Sequence, residues 1–182
     1  MVENNALQII SFIGTSVAPI ITAITAIAGA LFIWSQIHAA QKTAKGEFLL
    51  HLDERLETFS DVSDNVKDTK WRPENKSEQR KYHVNRYMGV FERIQTLLDD
   101  NIIDLKSFDH LYGDRVRIIV LNDYCHQKLV ESAAEWKYFI KLCKKIAERR
   151  LINGYVGNKK WDVFFDRVDK LQLGEEDWRS AN

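Results

Sequence analysis

The chain has 182 residues, 26 of them basic and 26 acidic, so its formal charge at pH 7 is zero. This balance excludes a protein that binds long nucleic acid through an overall basic surface. The two cysteines, Cys125 and Cys143, are eighteen residues apart. This spacing matches no zinc motif, so we predict no metal and no cofactor. Two free thiols on helices in a reducing compartment are the favoured interpretation, and a disulfide is the alternative.

The amino-terminal segment is the most distinctive part of the sequence. Residues 6–37 are apolar or small, and Ser, Thr and Gln are the only polar types among them. A membrane span needs about 20 such residues, and a helix of this longer run extends for about 45 Å. Pro19 predicts a kink. Because residues 1–5 carry no Lys or Arg, the segment lacks the basic start of a signal peptide, and we expect a retained anchor over residues 1–39.

The charges that flank this segment predict its orientation. Glu3 is the only charged residue before Lys42, and Lys45 follows. The positive-inside rule then places the amino terminus outside and the rest of the chain in the cytoplasm. Trp34 lies where an interfacial aromatic residue is expected. We therefore predict a single-pass protein with a cytoplasmic carboxy-terminal domain.

One face of the predicted span is rich in small and polar residues at helical spacing. Such a face lets helices approach closely, and hydroxyls add hydrogen bonds between them. The pattern favours a homo-oligomer, and a polar lining for a pore is a weaker alternative. Ala, Gly and Thr are also common in membrane helices that serve only as anchors. The residues of the face are Ser11, Thr15, Ala18, Thr22, Thr25, Ala26, Gly29 and Ala30.

The rest of the chain predicts a small helical domain over residues 40–174 and a loose tail over residues 175–182. Apolar residues recur there at the spacing of a helix face. This gives an all-α fold in which the membrane helix is followed by about four to five helices. Residues 60–76 are predicted as a loop because they include Pro73 and lack periodicity. The predicted helices cover residues 40–59, 77–99, 107–130, 133–150 and 159–171. Ser77 is predicted to start the second of these, and Ser107 is predicted as the amino-terminal cap of the third.

No catalytic pattern accompanies these helices, so we predict that the protein is not an enzyme. The best binding candidate is a basic cluster near the end of the domain. Lys and Arg at a helix carboxy terminus are often only solvated charges. The alternatives are contact with anionic lipid or with phosphates, where Trp161 or Tyr155 stacks on a base. The cluster consists of Lys141, Lys144, Lys145, Arg149, Arg150, Lys159, Lys160 and Trp161.

The stretch YMGVFERIQTLLDDNIIDLKSFDHLYGDRVRII, residues 87–119, resembles an uncharacterised family of bacterial proteins. Phe91 and Glu92 inside a helix, the I-D-L…F…Y-G turn and Trp136 carry the resemblance. It implies one amino-terminal membrane helix, a small helical cytoplasmic domain and a bacterial inner-membrane location. In layout the chain is also similar to type III CRISPR membrane effectors, whose cytoplasmic domain binds cyclic tetra-adenylate.

These observations lead to two functional hypotheses. The first is an oligomeric sensor-effector of antiviral defence, in which a small anionic ligand such as a cyclic oligonucleotide binds the cytoplasmic domain and perturbs the membrane bundle. The second is a membrane-tethered protein-interaction module, in which the span is a plain anchor. The expected partners are membrane lipid, a second copy of the chain and a cyclic oligonucleotide.

Overall fold

The computed structural model describes residues 2–74 and 77–171, and it describes side chains from residue 21 onwards. Seven helices and no strand occur in these ranges, so the prediction of an all-α fold is confirmed. The helices are α1 (Val2–Glu57), α2 (Ser60–Val66), α3 (Glu78–Asp99), α4 (Leu105–Leu121), α5 (Asp123–Glu131), α6 (Lys137–Ile152) and α7 (Lys159–Asp169).

Helix α1 contains the predicted membrane segment. Within its described side chains, Ile21–Glu57 includes a stretch that is long and apolar enough to cross a membrane, and that stretch is not buried by the rest of the chain. The chain divides into two compact units between Leu50 and His51, inside this helix. The predicted boundary lay earlier, after residue 39, and the predicted tail over residues 175–182 is outside the described residues.

The core of the second unit is built from aromatic and aliphatic side chains of all its helices. Helices α3 and α6 pack on each other most extensively. Phe91 of α3 lies at the centre, with its ring centroid 6.1 Å from that of Phe139 and 6.4 Å from that of Phe108. Both contacts have edge-to-face geometry, which stabilises aromatic pairs beyond the area that they bury. This core sets the positions of α4 and α6.

The last turns of α1 belong to the same core. Leu52, Leu56 and Phe59 are buried, and their spacing places them on one side of the chain. On α4, burial and a hydrogen bond with the Asp53 carboxylate raise the pKa of Tyr112 to about 12. Asp53 therefore ties the end of α1 to α4.

The structure corrects several predicted helix boundaries, and two caps show why. Ser77, predicted as the start of its helix, is the cap of α3, and its side chain accepts a hydrogen bond from the main-chain N–H of Arg80 at 3.3 Å. Helix α4 begins earlier than predicted, because Asp104 is its cap and accepts from the N–H of Ser107 at 2.8 Å. A carboxylate satisfies the free amide and complements the positive helix end.

The helix predicted over residues 107–130 is in fact two helices, α4 and α5, separated at Asn122. Asn122 is buried and extended. Its amide oxygen accepts from the N–H of Cys125 at 3.1 Å. Its amide nitrogen donates to the carbonyls of Asp68 and Trp71, each at 2.9 Å. The Asn122 side chain therefore caps α5 and holds the segment between α2 and α3. These hydrogen bonds stabilise the chain more than a continuous helix through residue 122 would.

Helix α2 lies in the region predicted as a loop. Its two buried residues, Val62 and Val66, are one helical turn apart and pack into the core. With α2 and the separation of α4 from α5, the described residues contain six helices after α1, where about four to five were predicted.

Candidate functional site

The structure divides the predicted basic cluster into parts with different surroundings. Lys141 and Lys145 of α6 both bind Asp99 at the end of α3, with N–O distances of 3.1 and 2.7 Å. Partial burial opposes ionisation of Asp99, but hydrogen bonds from Lys145, Gln95 and Lys141 outweigh it and lower its pKa to about 2. Both lysines are therefore held at the contact between α3 and α6, where Asp99 offsets one of their two positive charges.

Arg149 and Arg150 share a different carboxylate, that of Asp109 on α4. The Asp109 side chain is only 5% exposed. Arg150 Nε donates to its Oδ1 at 2.8 Å, and Arg150 Nη2 donates to the main-chain carbonyl of Asp109 at 3.0 Å. Arg149 Nε is 3.2 Å from Oδ2, within ion-pair distance, yet its N–H makes no hydrogen bond to any described atom. Arg150 is fixed at two points, whereas Arg149 retains an unused donor.

A glycine creates the space for this buried carboxylate. Gly113 lies one helical turn after Asp109 on α4 and is itself buried. A Cβ at this position would collide with Asp109 Oδ1 and would lie 3.2 Å from Arg150 Nη2. Glycine inside a helix costs about 1 kcal/mol relative to alanine. Here it allows the carboxylate and the guanidinium to meet.

Two aromatic rings complete the environment of Arg150. Its guanidinium carbon lies 4.7 Å from the ring centroid of Tyr155 and 4.5 Å from that of Trp161, so both contacts are cation–π interactions. Trp161 is only 4% exposed and packs on Phe164. Of the two aromatic residues considered for stacking on a base, Tyr155 is the one that reaches the surface.

These groups border a cleft of about 350 Å³ between α4 and α6, which we call the Asp109 cleft. Three lining residues are cationic and one is anionic, which leaves a surplus of two positive charges if His110 is neutral. The lining residues are Lys106, Asp109, His110, Arg149, Arg150, Asn153 and Tyr155.

Sequence reasoning included Arg149, Arg150 and Tyr155 but missed Lys106, His110 and Asn153 as parts of one site. They lie outside the basic cluster in sequence, on the start of α4 and at the end of α6. The spacing of Asp109 and Gly113 was the available signal, because an interior helical glycine one turn from a carboxylate indicates a close approach.

No protein-family model, curated protein or solved structure matches the chain. Its function therefore has to be inferred from the chemistry of its own residues.

The remaining cations of the predicted cluster do not line the Asp109 cleft. Lys159 and Lys160 begin α7 and are exposed, and Lys144 on α6 is half-buried. Within the described residues none of the three forms an ion pair. They provide uncompensated positive charge near the cleft but outside it.

The predicted contact face of the span is only partly described. Ser11, Thr15 and Ala18 lie where side chains are not described, whereas Thr22, Thr25, Ala26, Gly29 and Ala30 are exposed in the single chain. Thr25 Oγ1 donates to the carbonyl of Ile21 at 2.8 Å. This bond satisfies the hydroxyl inside the helix, so Thr25 suits either a lipid or a helix neighbour.

Other reactive groups give no comparable site in the described ranges. No group of three or more His, Cys, Asp or Glu side chains is placed there to hold a metal. Cys125 and Cys143 are free and buried, and burial raises the pKa of the Cys125 thiol to about 12. A second cleft of about 360 Å³ is lined by Arg80 and Asp61, with Trp71 and His83, and its charges balance.

Proposed function

We propose that the chain is a single-span membrane protein whose helical domain binds a small, phosphate-bearing anion in the Asp109 cleft. The observation that carries this proposal is the charge of the cleft. Two guanidinium groups meet on one buried carboxylate, and Lys106 adds a third cation, so positive charge is left for a ligand. A phosphate bears several strong acceptors and suits this arrangement.

The contacts of Asp109 give the cations of the cleft different roles. Arg150 is held by the carboxylate, by the Asp109 carbonyl and by two rings, so it shapes the wall of the cleft. Arg149 pairs with Asp109 through Nε, which is itself buried, but its side chain is 30% exposed, and Lys106 is exposed. The exposed parts of these two side chains are the ones placed to bind phosphate oxygens. A wall that is already ordered lowers the entropy cost of binding.

The size of the cleft limits what one chain can hold. About 350 Å³ is at the small end of ligand sites, and it suits one phosphate with its neighbouring sugar or base. Tyr155 at the rim offers a ring on which a base can stack. In a symmetric oligomer the cleft is repeated around the axis, and a cyclic oligonucleotide presents a matching series of phosphates.

The same helix connects the cleft with α1. Asp109 and Tyr112 are three residues apart on α4, and Tyr112 meets Asp53 near the end of α1. A displacement of α4 on ligand binding therefore acts directly on the helix that contains the membrane segment. In the proposed sensor-effector, the ligand binds one state of the membrane bundle more tightly and so shifts the population towards it. The amino terminus is outside and the domain is cytoplasmic.

Native mass spectrometry of the full-length protein in detergent, with a panel of cyclic oligonucleotides that includes cyclic tetra-adenylate, tests the binding step. Lys106→Gln should weaken binding about tenfold, as expected for one lost charged contact. Lys144→Gln is the matched control, because Lys144 is also unpaired but lies outside the cleft. If no member of the panel binds, or if both variants bind equally well, the cleft is not the site.

Calcein leakage from proteoliposomes tests the effector step separately. A ligand that binds should cause leakage from vesicles that contain the wild-type chain. Replacing the apolar part of α1 with an unrelated Leu-rich span should abolish leakage and preserve binding. If binding occurs without leakage from the wild-type protein, the span is a plain anchor and the protein is a tethered interaction module.

A further inference from the structure

The turn between α6 and α7 exposes an unusual amount of apolar surface. Ile152 is 85% exposed, Val156 is 69% exposed and Leu151 is 42% exposed. Each isolated case would be ordinary on a protein surface. Here three aliphatic side chains occur within six residues, on a segment that none of the domain helices covers. We call residues 151–160 the α6–α7 turn, which includes the last two residues of α6 and the first two of α7.

The charges within this region are all positive, and the acidic residues Glu148 and Asp162 flank it. Residues 149–160 contain Arg149, Arg150, Lys159 and Lys160 and no acidic residue. The two arginines share Asp109, but Lys159 and Lys160 are exposed and form no ion pair in the described part of the chain. Aliphatic tips beside unpaired lysines are the combination that binds an anionic bilayer surface.

The turn is also ordered by its own hydrogen bonds. The N–H of Tyr155 donates to the carbonyl of Arg150 at 3.1 Å, and the N–H of Gly157 donates to Asp162 at 3.1 Å. Gly154 and Gly157 have φ values of +78° and +81°, a conformation that glycine adopts without strain. The structure therefore presents Ile152 and Val156 from a fixed turn, and little ordering remains to be done on contact.

We propose that the α6–α7 turn is a second membrane contact, in which Ile152 and Val156 enter the interface of an anionic phospholipid leaflet and Lys159 and Lys160 bind its headgroups. A second copy of the turn is a poor occupant, because a symmetric contact would oppose lysines to lysines. The inference rests on the membrane-span part of the proposed function and is independent of the ligand.

The test is depth measurement on the full-length chain in vesicles. An Ile152→Cys variant is labelled with an environment-sensitive NBD maleimide, because the native thiols are buried. Val130→Cys is the control, since Val130 is also an exposed aliphatic residue, at 51%, but lies on α5. In vesicles that contain phosphatidylglycerol, we expect a blue-shifted emission and several-fold stronger quenching by doxyl-labelled lipid at position 152 than at position 130.

Charge removal and lipid composition complete the test. Lys159→Gln combined with Lys160→Gln should lower the equilibrium constant for docking about fivefold per lysine, and vesicles of phosphatidylcholine alone should also weaken docking. Equal quenching at positions 152 and 130 overturns the proposal. A label at position 152 that is equally protected in lipid-free detergent also overturns it, because a protein contact is then responsible. Carbonate extraction and flotation of the same vesicles report separately whether α1 is inserted.

Discussion

Gly113→Ala is the substitution whose sign follows most directly from the structure. In most helix interiors, alanine in place of glycine stabilises a protein by about 1 kcal/mol. At position 113 the added Cβ collides with Asp109 Oδ1 and approaches Arg150 Nη2 at 3.2 Å. The carboxylate must move away from its guanidinium partners, so we expect alanine to destabilise the protein.

The expected loss of unfolding free energy follows from the burial of the ion pair between Asp109 and Arg150. Disrupting one partner of a buried pair costs about 3–5 kcal/mol. The side chains of Asp109 and Arg150 are 5% and 14% exposed, so solvent screens this pair little, whereas Arg149 at 30% is partly solvated. After subtracting about 1 kcal/mol for the better helix former, the expected net loss is about 2–4 kcal/mol. For a domain of this size that lowers the melting temperature by roughly 10 °C.

Thermal unfolding of the full-length protein in mild detergent, followed by near-ultraviolet circular dichroism, measures the change. Gly89→Ala is the matched control, because Gly89 is also inside a helix and nothing lies within 4 Å of an added Cβ there. Gly89→Ala should be neutral or stabilising. If Gly113→Ala is as stable as the wild type, or if both variants lose the same stability, the steric argument about Asp109 is refuted.

Three further predictions follow from single contacts. Asn122→Ala should lower the free energy of unfolding by about 2–4 kcal/mol, because two carbonyls lose their donor and α5 loses its cap. Chemical denaturation measures this loss, and a loss below about 1 kcal/mol would contradict the role of Asn122. The pKa of Asp99 falls from 3.8 to about 2 on folding, so its ionised form stabilises the protein above pH 4 and this contribution disappears as the pH falls through 2. Asp99→Asn should therefore cost about 1 kcal/mol at neutral pH, after allowance for solvent, and thermal melts of both proteins should converge towards pH 2; a constant difference would rule out the titration. Cys125 and Cys143 should resist maleimide in the native state and react on unfolding, because burial raises both thiol pKa values. Mass spectrometry measures the labelling, and labelled thiols in the native protein would contradict their burial.

The basic cluster shows how far sequence reasoning extended towards the site. Its positive charge is plain from the sequence, but the sequence assigns all eight residues a similar role. In the structure Lys141 and Lys145 form ion pairs with Asp99. Arg149 and Arg150 pair with Asp109, and the Trp161 ring packs against the Arg150 guanidinium. The carboxylates are forty or more residues away in the chain. Helical periodicity contains no information about which anion will neutralise which cation.

The sequence by itself determined the features that arise from composition and from neighbours within a turn. These are one long apolar helix at the amino terminus, an all-α domain and the start of a helix at Ser77, because apolar spacing and local capping act over three or four residues. Tertiary structure decided the separation of α4 from α5 and the formation of the Asp109 cleft. Asn122 ends a helix because Asp68 and Trp71 offer it carbonyls, and Gly113 gains its role because α6 brings Arg150 to Asp109. Such contacts join residues that are remote in sequence, and their free energy exists only after the core has brought the helices together.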